Sequence, residues 1–166
     1  MAVPRKHKEQ APASVKCGVI TISDSRTQDT DESGKLIRDL FQRAGHSVLF
    51  SAVVKDESKP ILDAVEQASW TCDAIVTNGG TGIGKRDVTI PTLLPTFERT
   101  LPGFGELFRF LSYEKIGGAA MLSGAAAGVY HGRIVFCLPG SPDACRLAME
   151  KLILLELGHA VGVMGR

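Results

Sequence analysis

Residues 73–87 read DAIVTNGGTGIGKRD: a short apolar run, four glycines within six residues, then Lys85, Arg86 and Asp87. The run Asp73 to Thr77 has the length and β-branched content of a buried strand. A glycine loop directly after it places backbone N–H groups where no side chain obstructs an anion. Toward the N-terminus, Cys17 to Ile22 (CGVITI) is another β-branched run. Behind it Leu36, Ile37, Leu40, Phe41 and Ala44 recur at helical spacing. Asp29 with Glu32 reads as a capping box opening that helix, and Gly45 as its stop. Val48 to Val54 is the next strand. Ser58 and Pro60 then open a helix with Ile61, Leu62, Val65 and Ala68 on one face. Strand, helix, strand, helix, strand predicts right-handed crossovers and a parallel sheet, hence an α/β protein with a three-layer α/β/α sandwich.

Toward the C-terminus, Thr89 and Pro91 start a helix running to about Glu98. Gly103 to Lys115 gives another, with Leu107, Phe108 and Leu111 inward. Ala119 to Val129 is rich in alanine and glycine. The pair His131-Gly132 joins it to Arg133 to Leu138 (RIVFCL) as a hairpin, so one strand near the sheet edge is antiparallel. Ser141 and Pro142 open a long final helix with Ala144, Leu147, Ala148, Leu152 and Leu155 on its buried face. The expected organisation is a flexible tail over 1–15 and a single domain over 16–166. The cluster Arg5-Lys6-His7-Lys8 is too short for a binding patch.

Hydrophobic residues make up 44% and charged residues 22%, which suits a soluble core of ordinary size. Nineteen basic and 18 acidic residues leave a net charge of +1, without the basic excess that nucleic-acid binding needs. No apolar run reaches the roughly 18 residues of a membrane span. Cysteines 17, 72, 137 and 145 lack disulfide or zinc spacing and read as reduced thiols of a cytoplasmic protein.

Ligands of such sheets sit beyond the carboxyl ends of the strands, here after Ile22, Val54 and Thr77. Gly79 to Lys85 spells the GxxxxGK of a P-loop, but Arg86 stands where a magnesium-binding hydroxyl belongs. The dinucleotide pattern GxGxxG fails at Lys85. The loop is thus a phosphate cradle of neither type, or a plain strand-to-helix turn. Lys85 and Arg86 can neutralise phosphate, and Asp87 can hold magnesium, with capping or an Arg86 ion pair as its alternative. Leu138-Pro-Gly-Ser-Pro142 forms a second candidate anion site at a helix start. Two such sites suit a substrate with phosphates at both ends. Asp24 and Asp56 lie just past the first two strands.

Four segments occur in order: NGGTGxGxRDVT (78–89), PGFGE (102–106), the Ser123 region and LPGSPDA (138–144). With TISDSR (21–26), they resemble the molybdenum-cofactor biosynthesis proteins of the MoaB/Mog group over about Cys17 to Val163. GVITISDSR and ELGHAVG (156–162) are most similar to the MoaB branch. The resemblance implies a three-layer α/β/α domain with a mostly parallel sheet and one antiparallel strand. It implies assembly as a homotrimer, or in the MoaB branch a homohexamer. It implies transfer of AMP from Mg-ATP to the terminal phosphate of molybdopterin, with pyrophosphate released and the product passed to a molybdate-insertion protein.

By the same resemblance Asp56 and Asp87 are the catalytic, magnesium-holding carboxylates. Gly79, Gly80, Thr81 and Gly82, with Lys85 and Arg86, take the nucleotide phosphates. Glu106, Ser123, Gly140 and Ser141 take the pterin. Three departures stand out: Asn78 opens the loop where many relatives have glycine, Lys55 replaces a proline, and Gly124 replaces the arginine usual in relatives, a bidentate phosphate donor. The alternatives are a catalytically silent pterin carrier of this fold, favoured by Gly124, and an unrelated ATP-dependent kinase, opposed by Arg86. Val129, Tyr130 and the 152–163 end could form an apolar interface or belong to the core.

Overall fold

The computed structural model describes residues 11–165. Six strands form one sheet in the order β2-β1-β3-β6-β5-β4. These are β1 (Lys16–Ile22), β2 (Ser47–Val54), β3 (Ala74–Asn78), β4 (Arg99–Thr100), β5 (Ala126–Tyr130) and β6 (Arg133–Leu138). β1 pairs in parallel with β2 and β3, and β3 with β6. β5 pairs antiparallel with both β6 and β4, so it is the one strand running against the other five. This is the expected mostly parallel sheet with a single reversed strand. β1 beyond Lys16 and all of β3 are buried throughout. That explains why both read as continuous apolar runs rather than alternating ones.

Helices cover both faces. One face packs α1 (Glu32–Arg43), α4 (Pro102–Ile116), α5 (Pro142–Ala148) and α6 (Leu154–Met164) around Phe41, Phe108, Met149 and Leu157. The other packs α2 (Ser58–Ser69) and the short α3 (Thr89–Leu93) around Ile61, Val65 and Leu93. Each such fully buried side chain stabilises the fold by about 1.5–3 kcal/mol relative to exposure. The four cysteines are buried and unpaired. Burial pushes the thiols of Cys17, Cys137 and Cys145 up to about 12, which leaves them unreactive.

Several local expectations give way to tertiary contacts. The cap of α1 is Asp31, not Asp29: its Oδ1 accepts from the Gly34 N–H at 2.8 Å while Oδ2 accepts from the Thr21 hydroxyl at 2.7 Å. The second bond, to β1, ties the cap at Asp31 to the sheet. Ala44 is the exposed C-cap rather than a core residue, and Gly45 follows it at φ +84°. The helix from Thr89 stops at Leu93, passes through a 3-10 turn at Leu94–Thr96 and becomes edge strand β4. Pro95 has no N–H to continue the ladder. In the 119–129 stretch, a 3-10 segment (Gly117–Leu122) precedes the strand, which begins only at Ala126.

In α4, Phe104, Phe108 and Ser112 face inward at steps of four, and Leu107 is exposed instead. Between α5 and α6 lies a π turn, Met149–Ile153. Its wider turn rotates the helix, so Met149, Ile153 and Leu157 are buried and Leu155 faces out. The hairpin is as expected: His131 (φ 46°) and Gly132 (φ 70°) both adopt the left-handed geometry of a two-residue turn.

Of the tail expected over 1–15, residues 1–10, with the basic cluster, lie outside the described residues. Val15 is buried; its N–H donates to His46 Nδ1 at 3.2 Å and its carbonyl accepts from the Ser47 N–H. Among the described residues no helix is long and apolar enough to cross a membrane.

Burial holds the His46 imidazole below its ordinary value of 6.5. The folded chain therefore favours the neutral ring, and protonation favours unfolding. Stability is lost as pH falls through the ordinary value toward the lower folded one. Thermal unfolding should show the midpoint advantage of wild type over His46→Gln shrinking between about pH 7.5 and about pH 5. A constant gap would contradict this.

Candidate active site at the carboxyl ends of the strands

Gly79 follows β3 at φ +102°, and a Cβ built on it would overlap the carbonyl oxygen of Ile22 at the end of β1. Its N–H donates to the Leu138 carbonyl at the end of β6, at 3.0 Å. Only glycine fits between these two strand ends. Gly80 follows at φ +62°, and a Cβ there would lie 2.5 Å from Thr89 Oγ1 and 2.7 Å from Asp56 Oδ1. Thr89 is fully buried beneath the loop. Its hydroxyl donates to the Gly79 carbonyl at 2.8 Å and its N–H to the Gly80 carbonyl at 2.9 Å. Further on, the loop wraps the Asp87 carboxylate, whose Oδ2 accepts the Gly84 N–H at 2.8 Å and sits 2.7 Å from where a Cβ of Gly82 would be.

The charges around this loop are sorted rather than scattered. Arg86 gives Nε–H to Asp24 Oδ2 at 3.1 Å and adds a second bond through Nη2. The alternative Asp87 pair is thus not the one formed. Asp24 Oδ1 accepts the Asp56 N–H at 3.2 Å, and the Asp24 carbonyl accepts from Lys55 Nζ at 3.0 Å. The Arg86 hydrogen bond holds the Asp24 carboxyl below its usual range. Asp56 moves up, first because it is partly desolvated and next because Asp24 stands beside it; Asp87 adds to the rise. A cation placed there would favour the ionised carboxylate and so oppose both. Among the described residues no three or more His, Cys, Asp and Glu side chains form a ready metal cluster. Two carboxylates with oxygen donors alone do suit magnesium, which keeps waters and substrate phosphates as its other ligands.

The second anion turn adjoins the first. A Cβ on Gly140 would touch Gly79 Cα at 3.3 Å, and the Gly140 carbonyl accepts from the Ser33 hydroxyl at 2.7 Å. Ser141 caps α5, its Oγ accepting from the Ala144 N–H at 3.3 Å. Ser123 and Ser141 face a common cleft of about 240 Å³ with Lys115 and Asp143. Glu106 is not in it: it lines a separate cleft of about 290 Å³ with Arg109 and Ala125.

With that geometry in view, residues 18–159 match the family described as a probable molybdopterin binding domain. The chain belongs to this family. It is 50% identical over 157 residues to molybdenum cofactor biosynthesis protein B of Bacillus cereus, covering 93% of each chain. A crystal structure of a molybdenum cofactor biosynthesis protein B superposes with a TM-score of 0.91 at 48% identity, covering 95% of this chain and 99% of that one. The tungsten cofactor synthesizing protein MoaB from Pyrococcus furiosus superposes with a TM-score of 0.86 at 36% identity, covering 94% and 100%. The expected kinship with the MoaB/Mog group therefore holds, and the fold is the molybdopterin-binding fold of these proteins.

Within this member of the family, Gly124 has a structural consequence. A Cβ on it would overlap the Thr81 carbonyl oxygen, so the glycine loop rests directly on the bare backbone of residue 124. Sequence reasoning missed Thr89 as a loop support, reading it only as a helix start. It also missed the buried chain in which Asn78 Nδ2 donates to Thr21 Oγ1 at 2.9 Å and Thr21 donates to Asp31. Asn78 Oδ1 is the one buried side-chain polar atom without a partner among the described residues. The Thr in RDVT is a local signal for the first; nothing local signals the second.

Gly79 and Gly45 both have positive φ, but nothing lies within 4 Å of a Cβ on Gly45. In urea unfolding, Gly79→Ala should cost at least about 2 kcal/mol more than Gly45→Ala. Equal losses would contradict the wedge at Ile22.

Proposed function

We propose that this homologue of molybdenum cofactor biosynthesis protein B is a molybdopterin adenylyltransferase. It transfers AMP from Mg-ATP to the terminal phosphate of molybdopterin and releases pyrophosphate. The observation that carries this reading is the placement of Asp56 and Asp87 against a glycine loop at the strand ends. The relatives' names support the pathway, since they describe molybdenum and tungsten cofactor synthesis.

Adenylyl transfer asks a protein mainly for positioning and for neutralised phosphate charge. The segment Gly79, Gly80, Thr81 and Gly82 holds the ATP phosphates. Asp56 and Asp87 would hold magnesium, which would supply neutralisation of phosphate charge. Lys85 and Arg86 offset the remaining negative charge. The molybdopterin phosphate oxygen attacks the α-phosphorus; that bond forms as the bond to the β-phosphate oxygen breaks. The nucleophile is already an anion and needs no general base. Ser123 and Ser141 line the cleft that takes the pterin side, with Gly140 in the turn beside it. Glu106 contributes from its own cleft across α4. The adenylylated product passes to a cytoplasmic molybdate-insertion protein.

A second reading, a silent pterin carrier, draws on Gly124: the Thr81 carbonyl fills the space where an arginine side chain would begin. Incubating the protein with molybdopterin, ATP and magnesium and following adenylyl-molybdopterin by chromatography separates the two. Asp87→Asn, which retains an acceptor for the Gly84 N–H, and Asp56→Asn should each lower turnover by about a hundredfold or more with little change in thermal midpoint. Bound molybdopterin without product from wild type would favour the carrier.

Self-association as a trimer or hexamer is proposed through the outer face of α4 and the 3-10 segment after it. Phe110, Tyr113, Ile116, Met121 and Leu122 are all exposed there, whereas Tyr130 is buried and bonded to Glu66. In sedimentation velocity, Phe110→Glu with Ile116→Glu should convert the oligomer to folded monomer. An unchanged oligomer would place the interface elsewhere.

A further inference from the structure

We propose that Asp24 is a positioning residue for this site, an inference that rests on the adenylyl-transfer reading. Its single carboxylate ties the loop after β2 to the loop after β3, and thereby sets Asp56 and Arg86 for the phosphates. β1 lies between β2 and β3 in the sheet, so the turn after it is the one that reaches both neighbouring loops. Asp24 uses that place fully. Oδ1 accepts the Asp56 N–H, Oδ2 accepts two N–H groups of Arg86, and the carbonyl accepts from Lys55. These partners lie 31, 32 and 62 residues away in sequence.

The turn that carries Asp24 is fixed without it. The Ser23 N–H donates to the Val54 carbonyl at 2.8 Å, and Ser23 Oγ accepts from the N–H of Arg26 at 3.1 Å. Asp24 is therefore a rigid post rather than part of a mobile segment. The Arg86–Asp24 pair is well exposed, with side chains 64% and 42% accessible, and exposed pairs add little to global stability. Its consequence is local. The fork of Arg86 is held at the loop mouth, and the guanidinium is kept off Asp56 and Asp87, whose carboxylates stay available for a cation. A polyphosphate entering the loop then meets Arg86 already in place.

The test combines Asp24→Asn, Arg86→Gln and the double variant with a readout that needs no turnover. Asn keeps an acceptor for the Asp56 N–H and removes the charge that holds Arg86. Hydrogen exchange of amides 81–88 should quicken by about tenfold in Asp24→Asn, with β1, β3 and the thermal midpoint unchanged. In the adenylylation assay, Asp24→Asn should lower kcat about tenfold at saturating ATP and add nothing further in the Arg86→Gln background. Unchanged exchange over 81–88, a uniform rise that includes the strands, or additive losses in the double variant would each overturn the proposal. Absence of turnover in wild type would overturn the adenylyl-transfer reading instead, and the exchange measurement would still decide the role of Asp24.

Discussion

Gly79 sits so close to the end of β1 that no side chain can be accommodated, and the geometry of the site depends on that contact. The residue joins three strand ends: it directly follows β3, abuts the Ile22 carbonyl of β1 and donates to Leu138 of β6. Its own carbonyl is taken by the buried Thr89 hydroxyl. The start of the loop is thus held by the sheet itself, the most buried part of the molecule, rather than by surface contacts. The remainder of the loop, from Gly80 to Asp87, inherits a fixed origin. For the proposed adenylyl transfer such an origin would matter, because that reaction depends mainly on positioning.

Charge is arranged around that fixed loop in two tiers. The outer tier is the exposed Asp24–Arg86 pair, which spans the loops after β1 and β3. The inner tier is Asp56 and Asp87, both against glycine backbone. Asp56 is the carboxylate that its surroundings disfavour as an anion, through partial desolvation and the neighbouring Asp24. Below the loop, the buried chain Asn78–Thr21–Asp31 links the residue just before it to the N-terminus of α1. The loop and the first crossover helix are therefore coupled through hydrogen bonds that solvent does not reach.

The parallel heart of the sheet was legible because β1 and β3 are covered on both faces, which leaves an unbroken apolar run in the sequence. The His131-Gly132 hairpin and the Ser141-Pro142 helix start were legible because each depends on a few adjacent residues. Other features depend on distant partners. Asp31, not Asp29, caps α1 and is tied to Thr21, ten residues away. Leu155 is exposed because a π turn shifts the phase of the final helix, and periodicity counts assume that no such shift occurs. At the site, the sequence pattern pointed to Asp56, Asp87, Gly79 to Gly82 and Gly140, and the fold places them beside one another. Glu106 falls in a separate cleft from Ser123 and Ser141, since α4 turns it toward Arg109 and β5. Gly124 could be noticed as a departure from sequence alone, but its contact with Thr81 could not.

The central claim is that the loop beginning at Gly79, with Asp56 and Asp87, receives the phosphates of a nucleotide. Backbone amide resonances report this directly during titration with a non-hydrolysable ATP analogue and magnesium. The account predicts saturable shifts largest at Gly80, Thr81, Gly82 and Asp56, strongly reduced when magnesium is withheld. Shifts confined to Gly140 and Ser141, or none at the glycine loop at saturating analogue, would contradict it.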